Sequence, residues 1–393
     1  MPFLNECGIV CALGDTHQAI KDRLLARAES GIALTDAWSA GRQLPLGCVN
    51  TELPSMAHWP LQHRSRNNQL ALVALQQIRP AVDAAMARYG ADRVGVIIGT
   101  STSGISGTET ALRQHAADKT LPDDFHYGQQ EMGSPATMLA IELGVGGPSY
   151  VHSSACSSSA KAMASAARLL NMGLCDAVIC GGVDSMCAFT VAGFSALESV
   201  STKQCNPLSA NRNGINIGEG AALFLMTREP SAVALRGWGE SSDGHHMSAP
   251  DPAGGGARLS ITQALQRAGI DAAQIDYINM HGTATVQNDA MESRVIDDLF
   301  GSQVPVSSTK PFTGHTLGAA AAIEAAMCWL AMQDDNADGM VPPHLWDGES
   351  DPALPTLNAV KPGTRLGRPL QWALSNSFAF GGSNATLILG RSA

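Results

Sequence analysis

The strongest constraint on the fold of this chain is a set of short segments that are apolar along their whole length. Residues 93–100 and 176–184 lack the alternation of apolar and polar residues expected of a strand with one solvent face. Strands of this kind are typical of the middle of a parallel sheet that helices cover on both faces. Residues 70–89 and 160–172 predict helices, the first interrupted near Pro80. The alternation predicts a layered α/β fold.

Further elements follow from local signals. Residues 3–14 predict a buried strand, and Thr16 is a candidate N-cap for a helix that runs to about Glu29. Residues 40–66 contain several prolines and predict a surface loop. A helix is expected over 135–143 and another over 316–332.

Cys156 lies between a short predicted strand and the helix over 160–172, with small residues on both sides. Free amides at a helix start favour negative charge, so this position predicts a thiol that ionises easily and that a substrate can approach. The arrangement matches a nucleophile elbow with sulfur in place of a serine oxygen. A buried structural cysteine is the alternative that this stretch alone leaves open.

Composition excludes several classes of protein. A chain of 393 residues with 45% hydrophobic and 15% charged residues can bury a large core. The net charge of −10 argues against nucleic-acid binding. We expect no membrane span and no secretion signal. The nine cysteines contain no CxxC pair, which predicts a cytoplasmic protein without disulfides or a metal site.

The second half of the sequence echoes the first. Residues 213–220 and 376–384 are glycine-bent segments that each lead into an apolar strand. Strands over 93–98 and 275–280 each end in a Gly/Thr-containing loop. We therefore predict a duplicated α/β unit with one half over 1–230 and the other over 231–393.

Two histidines occupy positions that suit chemistry. His281 follows a predicted strand, and His315 follows the strand over 304–309 and a short loop. Ligands of open α/β sheets bind at the carboxyl ends of strands, where Cys156 is also expected. Their shared setting favours catalysis over helix capping or packing. By contrast, Cys175 and Cys180 are expected in the core, and metal binding by them or by the His245-His246 pair is not expected.

Four motifs, in this order along the chain, resemble those of the elongating β-ketoacyl-acyl-carrier-protein synthases. They are Ser154-Ala155-Cys156-Ser157, His281-Gly282-Thr283-Ala284-Thr285, residues 308–310 with 313–320, and Phe378-Ala379-Phe380-Gly381-Gly382-Ser383-Asn384. The resemblance implies the thiolase fold, a duplicated five-layer α/β/α/β/α architecture, and a dimer. It also implies decarboxylative condensation of a malonyl group on acyl carrier protein with a cysteine-bound acyl group, without a metal or cofactor.

The resemblance also assigns roles. Cys156 is the expected nucleophile, with its own amide and that of Phe380 as the oxyanion hole. His281 and His315 are expected to donate to the malonyl thioester. A larger set of matching positions supports them: Lys310 and Glu324 orient the site, Thr283 and Thr285 contact pantetheine, Phe378 and Phe380 lie in the gating motif, and Asp243, His246 and Met247 form a second gating loop.

This sequence departs from the family pattern at three places. The segment over 127–143, whose family counterpart lines the acyl pocket at the dimer interface, is shorter here. Ala379 replaces a glycine in the gating motif. Basic residues for docking an acidic carrier protein are few, the candidates being Arg64, Arg66, Lys203 and Arg212.

Several alternative functions make different demands on the sequence. A degradative thiolase needs a second cysteine in a C-terminal motif, whereas the last cysteine here is Cys328. An initiating synthase carries asparagine in place of His315, and a chain-length factor lacks the cysteine. A carrier-binding subunit with little activity of its own stays open if Cys156 is inert. These residues do not indicate the acyl chain length or the carrier protein. They also do not distinguish fatty-acid synthesis from polyketide or aryl-polyene synthesis, or a homodimer from a heterodimer.

Overall fold

The computed structural model describes residues 1–392. The strands are β1 Phe3–Cys11, β2 Ala33–Thr35, β3 Leu44–Leu46, β4 Val94–Gly99, β5 Ser149–His152, β6 Ala177–Asp184, β7 Gly220–Thr227, β8 Val233–Ser242, β9 Tyr277–Asn279, β10 Pro305–Ser307, β11 Asn358–Ala359, β12 Trp372–Ala379 and β13 Ser383–Arg391. The α-helices are α1 His17–Lys21, α2 Arg66–Tyr89, α3 Ile105–Asp118, α4 Ser134–Leu143, α5 Ser158–Asn171, α6 Ala188–Ala196, α7 Gly255–Ala268, α8 Val286–Phe300, α9 Lys310–Thr313 and α10 Ala320–Ala331.

Except for the β2–β3 hairpin, these strands form one 11-stranded ladder made of two halves with the same order. The first half runs β5-β4-β6-β7-β1, and the second runs β10-β9-β12-β13-β8 with β11 outside β10. In each half the first three strands are parallel, and the next two each pair antiparallel with their neighbour. The halves meet where Phe3 pairs with Ala234. This repeat is the duplication that the sequence predicts.

Helices complete the five expected layers. Helices α2 and α4 cover the outer face of the first half-sheet, α7 and α8 cover that of the second, and α5 and α10 lie between the two. Every residue of α10 is buried, because it contacts both half-sheets and α5. A boundary between 230 and 231 falls in the loop between β7 and β8 and stays a prediction.

Two helix predictions were wrong in detail. Helix α2 is continuous from Arg66 to Tyr89, although Pro80 lies inside it. Proline removes one intrahelical hydrogen bond, but both Pro80 and Gln76, whose carbonyl loses that bond, are exposed, so water can satisfy it. Thr16 caps α1 by accepting from Ala19 N–H at 3.2 Å, as predicted. The helix ends earlier than Glu29, passing into a π-helical turn over Asp22–Ala26.

The other elements lie close to their predicted positions. Residues 40–66 are mostly irregular, with only β3 and one short 3₁₀ turn. The helix expected over 316–332 begins with a 3₁₀ turn at Leu317–Ala319 before α10. None of the helices within residues 1–392 has the length and apolar character that crossing a membrane requires.

Candidate active site

Cys156 lies in the tight connection between β5 and α5. Ala155, directly before it, has φ of +50°, a left-handed conformation that strains a residue with a Cβ. This turn aims the Cys156 side chain across the start of α5, and the sulfur lies in a site that leaves the residue only 5% exposed. The strand-to-helix elbow predicted from the sequence is therefore present.

Both predicted histidines converge on the sulfur. His315 Nε2 lies 3.0 Å from Cys156 Sγ. One nitrogen of each histidine and the sulfur all lie within 4.8 Å of one another. The two imidazole rings meet edge to face, with centroids 5.3 Å apart. The carboxyl ends of β5, β9 and β10 thus bring together three side chains from distant parts of the chain.

The partners of the ring nitrogens define which nitrogen carries the proton. Leu317 N–H donates to His315 Nδ1 at 3.2 Å, and Lys310 Nζ lies 3.3 Å from His281 Nδ1. Since Nδ1 accepts in both rings, the proton of each neutral imidazole belongs on Nε2. Burial is the main cause that lowers the pKa of both histidines well below its usual value, and the charge of Lys310 lowers it further. Both therefore present a neutral Nε2–H donor at physiological pH.

Lys310 and Glu324 form a buried ion pair behind His281. The ammonium of Lys310 donates to Glu324 Oε1 at 2.5 Å and to the carbonyl of His281 at 2.5 Å. Burial raises the pKa of Glu324, while the neighbouring Lys310 lowers it. Removing either partner leaves an uncompensated buried charge, which is strongly destabilising. The pair therefore fixes both the position and the protonation of His281.

The predicted ease of ionisation of Cys156 was wrong. Burial raises the pKa of this thiol to about 11, and this effect exceeds the opposing influence of Lys310 and of the amides of Phe380 and Cys156. The helix start is visible in the sequence, whereas the removal of water from the sulfur is a property of the folded chain. The resting cysteine is a thiol surrounded by groups that favour its thiolate.

The β12–β13 turn brings Phe380 over the sulfur. The backbone N–H groups of Phe380 and of Cys156 itself lie beside Cys156 Sγ and lower the pKa of the thiol. Both therefore flank the atom next to which the oxyanion of an acyl substrate would form. Gly381 and Gly382 follow with φ of +80° and +71°. Phe378, two residues before Phe380 in β12, meets the His281 ring edge to face, with ring centroids 6.3 Å apart.

Asp243 contacts this turn and does not line the pocket. Its N–H donates to the carbonyl of Gly382 at 2.8 Å, and its carboxylate accepts from Asn384 at 2.7 Å. Met247 accepts the N–H of Gly381 through its carbonyl at 2.8 Å. His246 and Met247 are exposed. The second predicted gating segment therefore touches the first through backbone hydrogen bonds and through the side chains of Asp243 and Asn384.

Two cavities meet at Cys156. The first is lined by both histidines, Phe378, Thr283 and Thr285, and the hydroxyl oxygens of the two threonines lie 2.9 Å apart. The second is almost wholly apolar and is lined by Ser101, Thr102, Ala155, Phe189, Thr190, Gly193, Leu197 and Leu317. Phe194 and Phe380 line both cavities, with ring centroids 5.6 Å apart. We call the first cavity the channel and the second the apolar chamber, which reaches the surface at the exposed Phe189 and Leu197.

One expectation about the surroundings needs correction. Arg66 and Arg212 are not free to dock a carrier protein, since they pair with Glu219 at 2.6 Å and Asp351 at 2.6 Å. Arg64 donates to the carbonyls of Trp59 and Ala57. Lys203 is exposed. The expectation that the segment over 127–143 bears on the acyl pocket at the dimer interface stays a prediction, since that pocket involves a partner chain.

Two buried carboxylates and one aromatic residue of the site were not predicted from the sequence. Glu292 accepts the N–H groups of His281 and Gly282 at 2.8 and 2.7 Å. Asp184 accepts from the loop after β4 and, at 2.6 Å, from the N–H of Gly318. Phe194 separates the two cavities. Position at a strand end could have signalled Asp184, whereas nothing local distinguishes Glu292 or Phe194.

Comparison with known proteins finds family profiles and relatives that match most of this chain. The profile of the β-ketoacyl synthase N-terminal domain matches residues 60–232, and that of the C-terminal domain matches residues 232–345. A 3-oxoacyl-[acyl-carrier-protein] synthase 2 of Rhizobium meliloti is 36% identical over 76% of this chain and 74% of its own length. One from Synechocystis is 34% identical over 81% of this chain and 79% of its own length.

Solved structures agree. A structure of a ketosynthase in complex with its chain length factor from Xenorhabdus doucetiae contains a chain that is 44% identical, with a TM-score of 0.94 over 100% of this chain and 98% of the other. A β-ketoacyl synthase from Burkholderia phymatum is 27% identical, with a TM-score of 0.87 over 100% and 99%. The chain belongs to the β-ketoacyl synthase family, the acyl-transferring condensing enzymes of the thiolase fold.

Proposed function

We propose that this chain transfers an acyl group from acyl carrier protein to Cys156 and condenses it with malonyl-acyl carrier protein to give β-ketoacyl-acyl carrier protein. The observation that carries the proposal is the convergence of two neutral Nε2–H donors on one buried thiol. A nucleophile beside a pair of hydrogen-bond donors suits a reaction that forms first a thioester and then an enolate.

In the first step, the sulfur of Cys156 attacks the carbonyl carbon of the acyl-pantetheine thioester. The amides of Cys156 and Phe380 stabilise the tetrahedral oxyanion. The carbon–sulfur bond to pantetheine then breaks, and the pantetheine sulfur leaves with the proton that the Cys156 thiol gives up. The acyl chain lies in the apolar chamber, which suits a hydrocarbon substituent.

In the second step, malonyl-pantetheine enters through the channel. His281 and His315 donate from Nε2 to its thioester carbonyl oxygen. As carbon dioxide leaves, the electron pair of the broken carbon–carbon bond becomes an enolate that these donors stabilise. The enolate carbon attacks the acyl carbonyl on Cys156, and the cysteine departs as thiolate. Release of carbon dioxide drives the reaction, so no cofactor is required.

The remaining roles follow from position. Lys310 and Glu324 orient His281, and Thr283 and Thr285 line the channel where pantetheine would run. Phe378 and Phe380 lie where a gate between channel and chamber would act, with Asp243 supporting their turn. The cysteine and two histidines also have metal-ligand spacing, but the ammonium of Lys310 beside His281 opposes a bound cation.

The partner assignment rests on relatives. Synthases named for acyl carrier protein and a ketosynthase solved with its chain length factor support acyl carrier protein as substrate carrier, and either a second copy or a ketosynthase-like subunit as partner. All nine cysteines are free thiols, which supports a cytoplasmic setting.

Intact-protein mass spectrometry after incubation with a panel of acyl-carrier proteins tests the proposal. We expect one acyl adduct on the wild type, mapped to Cys156, and none on Cys156→Ala. The matched control is Cys48→Ala, at a half-exposed cysteine outside the site, which should still acylate. An adduct that persists in Cys156→Ala, or a wild type that no carrier acylates, contradicts it.

A further inference from the structure

A second lysine lies close to the candidate active site, and the reaction described above does not use it. Lys161, on α5, donates from Nζ to the hydroxyl of Ser383 at 2.5 Å. Ser383 begins β13, directly after the turn that carries Phe380. None of the ion pairs formed within residues 1–392 includes Lys161, so its ammonium is held by a neutral hydroxyl.

The chain of contacts continues to the nucleophile. Ser383 Oγ lies 3.0 Å from Ser157 Oγ, and Ser157 directly follows Cys156. Ser157 is fully buried and also donates to the carbonyl of Ser154 at 2.8 Å. One polar path therefore joins the elbow before α5 to the turn after β12. These are the two segments whose amides lie beside the sulfur and form the proposed oxyanion hole.

The turn needs such a restraint. Gly381 and Gly382 both have positive φ, and a Cβ at Gly381 would meet nothing within 4 Å. On one side, the turn is held by backbone hydrogen bonds with Asp243 and Met247. On the other side, Ser383 is the first residue that side chains hold.

We propose that Lys161, Ser383 and Ser157 form a latch that fixes the amide of Phe380 over Cys156, so that Lys161 is a positioning residue for the oxyanion hole. This inference rests on the proposed function. A lysine suits this latch, because its long side chain reaches from α5 to the turn. Its three ammonium protons also let the hydrogen bond persist when the hydroxyl of Ser383 moves.

Arg168 is the charged group that acts on Lys161, and it repels the ammonium. Burial lowers the pKa of Lys161, and Arg168, further along α5, lowers it again. His152 at the end of β5 is also near, with its own pKa lowered by burial and by these two cations. No carboxylate from β5, α5 or β13 balances Lys161, so the ammonium relies on its hydroxyl partner.

The test compares Lys161→Met, Lys161→Arg, Ser383→Ala and the Lys161→Met/Ser383→Ala double variant. We expect Lys161→Met and Ser383→Ala each to slow acylation of Cys156 in single turnover by about tenfold at unchanged KM, less than the roughly hundredfold or more that loss of an oxyanion donor costs. Lys161→Arg should recover most of the rate. The double variant should be no slower than either single variant, because both break one path.

Three controls separate the latch from a loss of structure. Malonyl decarboxylation and the melting temperature should stay close to those of the wild type, since neither needs the oxyanion hole. The exposed Lys361→Met should change nothing. Effects that multiply in the double variant, unchanged acylation in Lys161→Met, or a parallel fall in all three readouts each overturn the latch. A wild type that never acylates instead overturns the proposed function.

Discussion

The two halves of the molecule share a strand order, but they differ in the residues at the ends of corresponding strands. Strand β4 leads into Thr100 and Ser101, while its counterpart β9 leads into His281. Strand β5 leads into Cys156, while its counterpart β10 leads, through α9, into His315. In the proposed reaction, the first half thus contributes the atom that forms a covalent bond, and the second contributes the donors that stabilise charge. The two halves thus share one scaffold but place different chemical groups in the site.

The halves also differ at their outer edges. The first half-sheet ends at β5, where Ser149 and Tyr150 are exposed. In the second half-sheet, the short strand β11 covers the corresponding β10. An uncovered edge strand presents unpaired backbone groups that another chain can join. This contrast suggests that the expected dimer forms through the first half.

The largest expected effect tests the division of chemistry between the halves. His281→Ala and His315→Ala should each slow malonyl decarboxylation by roughly a hundred- to a thousandfold, the usual cost of one donor to a developing oxyanion, while Cys156 still acylates. Single-turnover assays of each half-reaction measure this.

His115→Ala, at an exposed histidine of α3, is the matched control and should leave both half-reactions unchanged. Melting curves check that the variants fold. Normal decarboxylation in a folded His315→Ala protein would show that this residue merely caps α10 or packs beneath the site.

The next effect sharpens how the halves are joined. Asp184 accepts hydrogen bonds from Thr100, Ser101 and Thr102 of the first half and from Gly318 of the second. Asp184→Asn removes the charge and turns one acceptor into a donor, so we expect a loss of about 2–3 kcal/mol in the free energy of unfolding. Chemical denaturation measures it. Asp335→Asn, at a surface ion pair, should change it by less than about 1 kcal/mol.

The edge comparison gives the third prediction. Tyr150→Lys should weaken the dimer by at least about tenfold in Kd, because a charge on an edge strand opposes pairing. Asn358→Lys on the covered side should have no effect. Light scattering over a concentration series, with the purified chain alone and with a ketosynthase-like partner, measures both. A fully active wild-type monomer would contradict the dimer.

The last prediction concerns protonation. Burial raises the pKa of Cys156 to about 11 but lowers the pKa of both histidines, so all three groups are neutral at pH 7. Alkylation of Cys156 by iodoacetamide should therefore rise about tenfold per pH unit from pH 7 to 9, following the thiolate fraction. Decarboxylation should stay flat from pH 6 to 8. A plateau in alkylation by pH 8 would mean that the thiol ionises readily.

The sequence predicted the secondary-structure elements and motifs better than the pKa of Cys156 and the partners of charged side chains. The elbow at Cys156 and the histidines at strand ends could be predicted, because each has a local signature. The pKa of Cys156 could not, since it depends on burial by segments more than a hundred residues away, such as residues 315–317 and Phe380. For the same reason, Arg66 and Arg212 looked free although Glu219 and Asp351 hold them. Glu292 lies only 11 residues from His281, but no local pattern distinguishes it from other helical carboxylates.

The burial of α10 has a consequence for synthesis of the chain. This helix belongs to the second half, yet it contacts β1, β6 and β7 of the first. When residues 1–230 have left the ribosome, the inner face of the first half-sheet therefore still lacks part of its cover. Phe380, whose amide belongs to the proposed oxyanion hole for acylation, is also still to come. A nascent or truncated chain would expose an apolar face that chaperones recognise, and it would lack the assembled site, so acyl transfer starts only after synthesis is nearly complete.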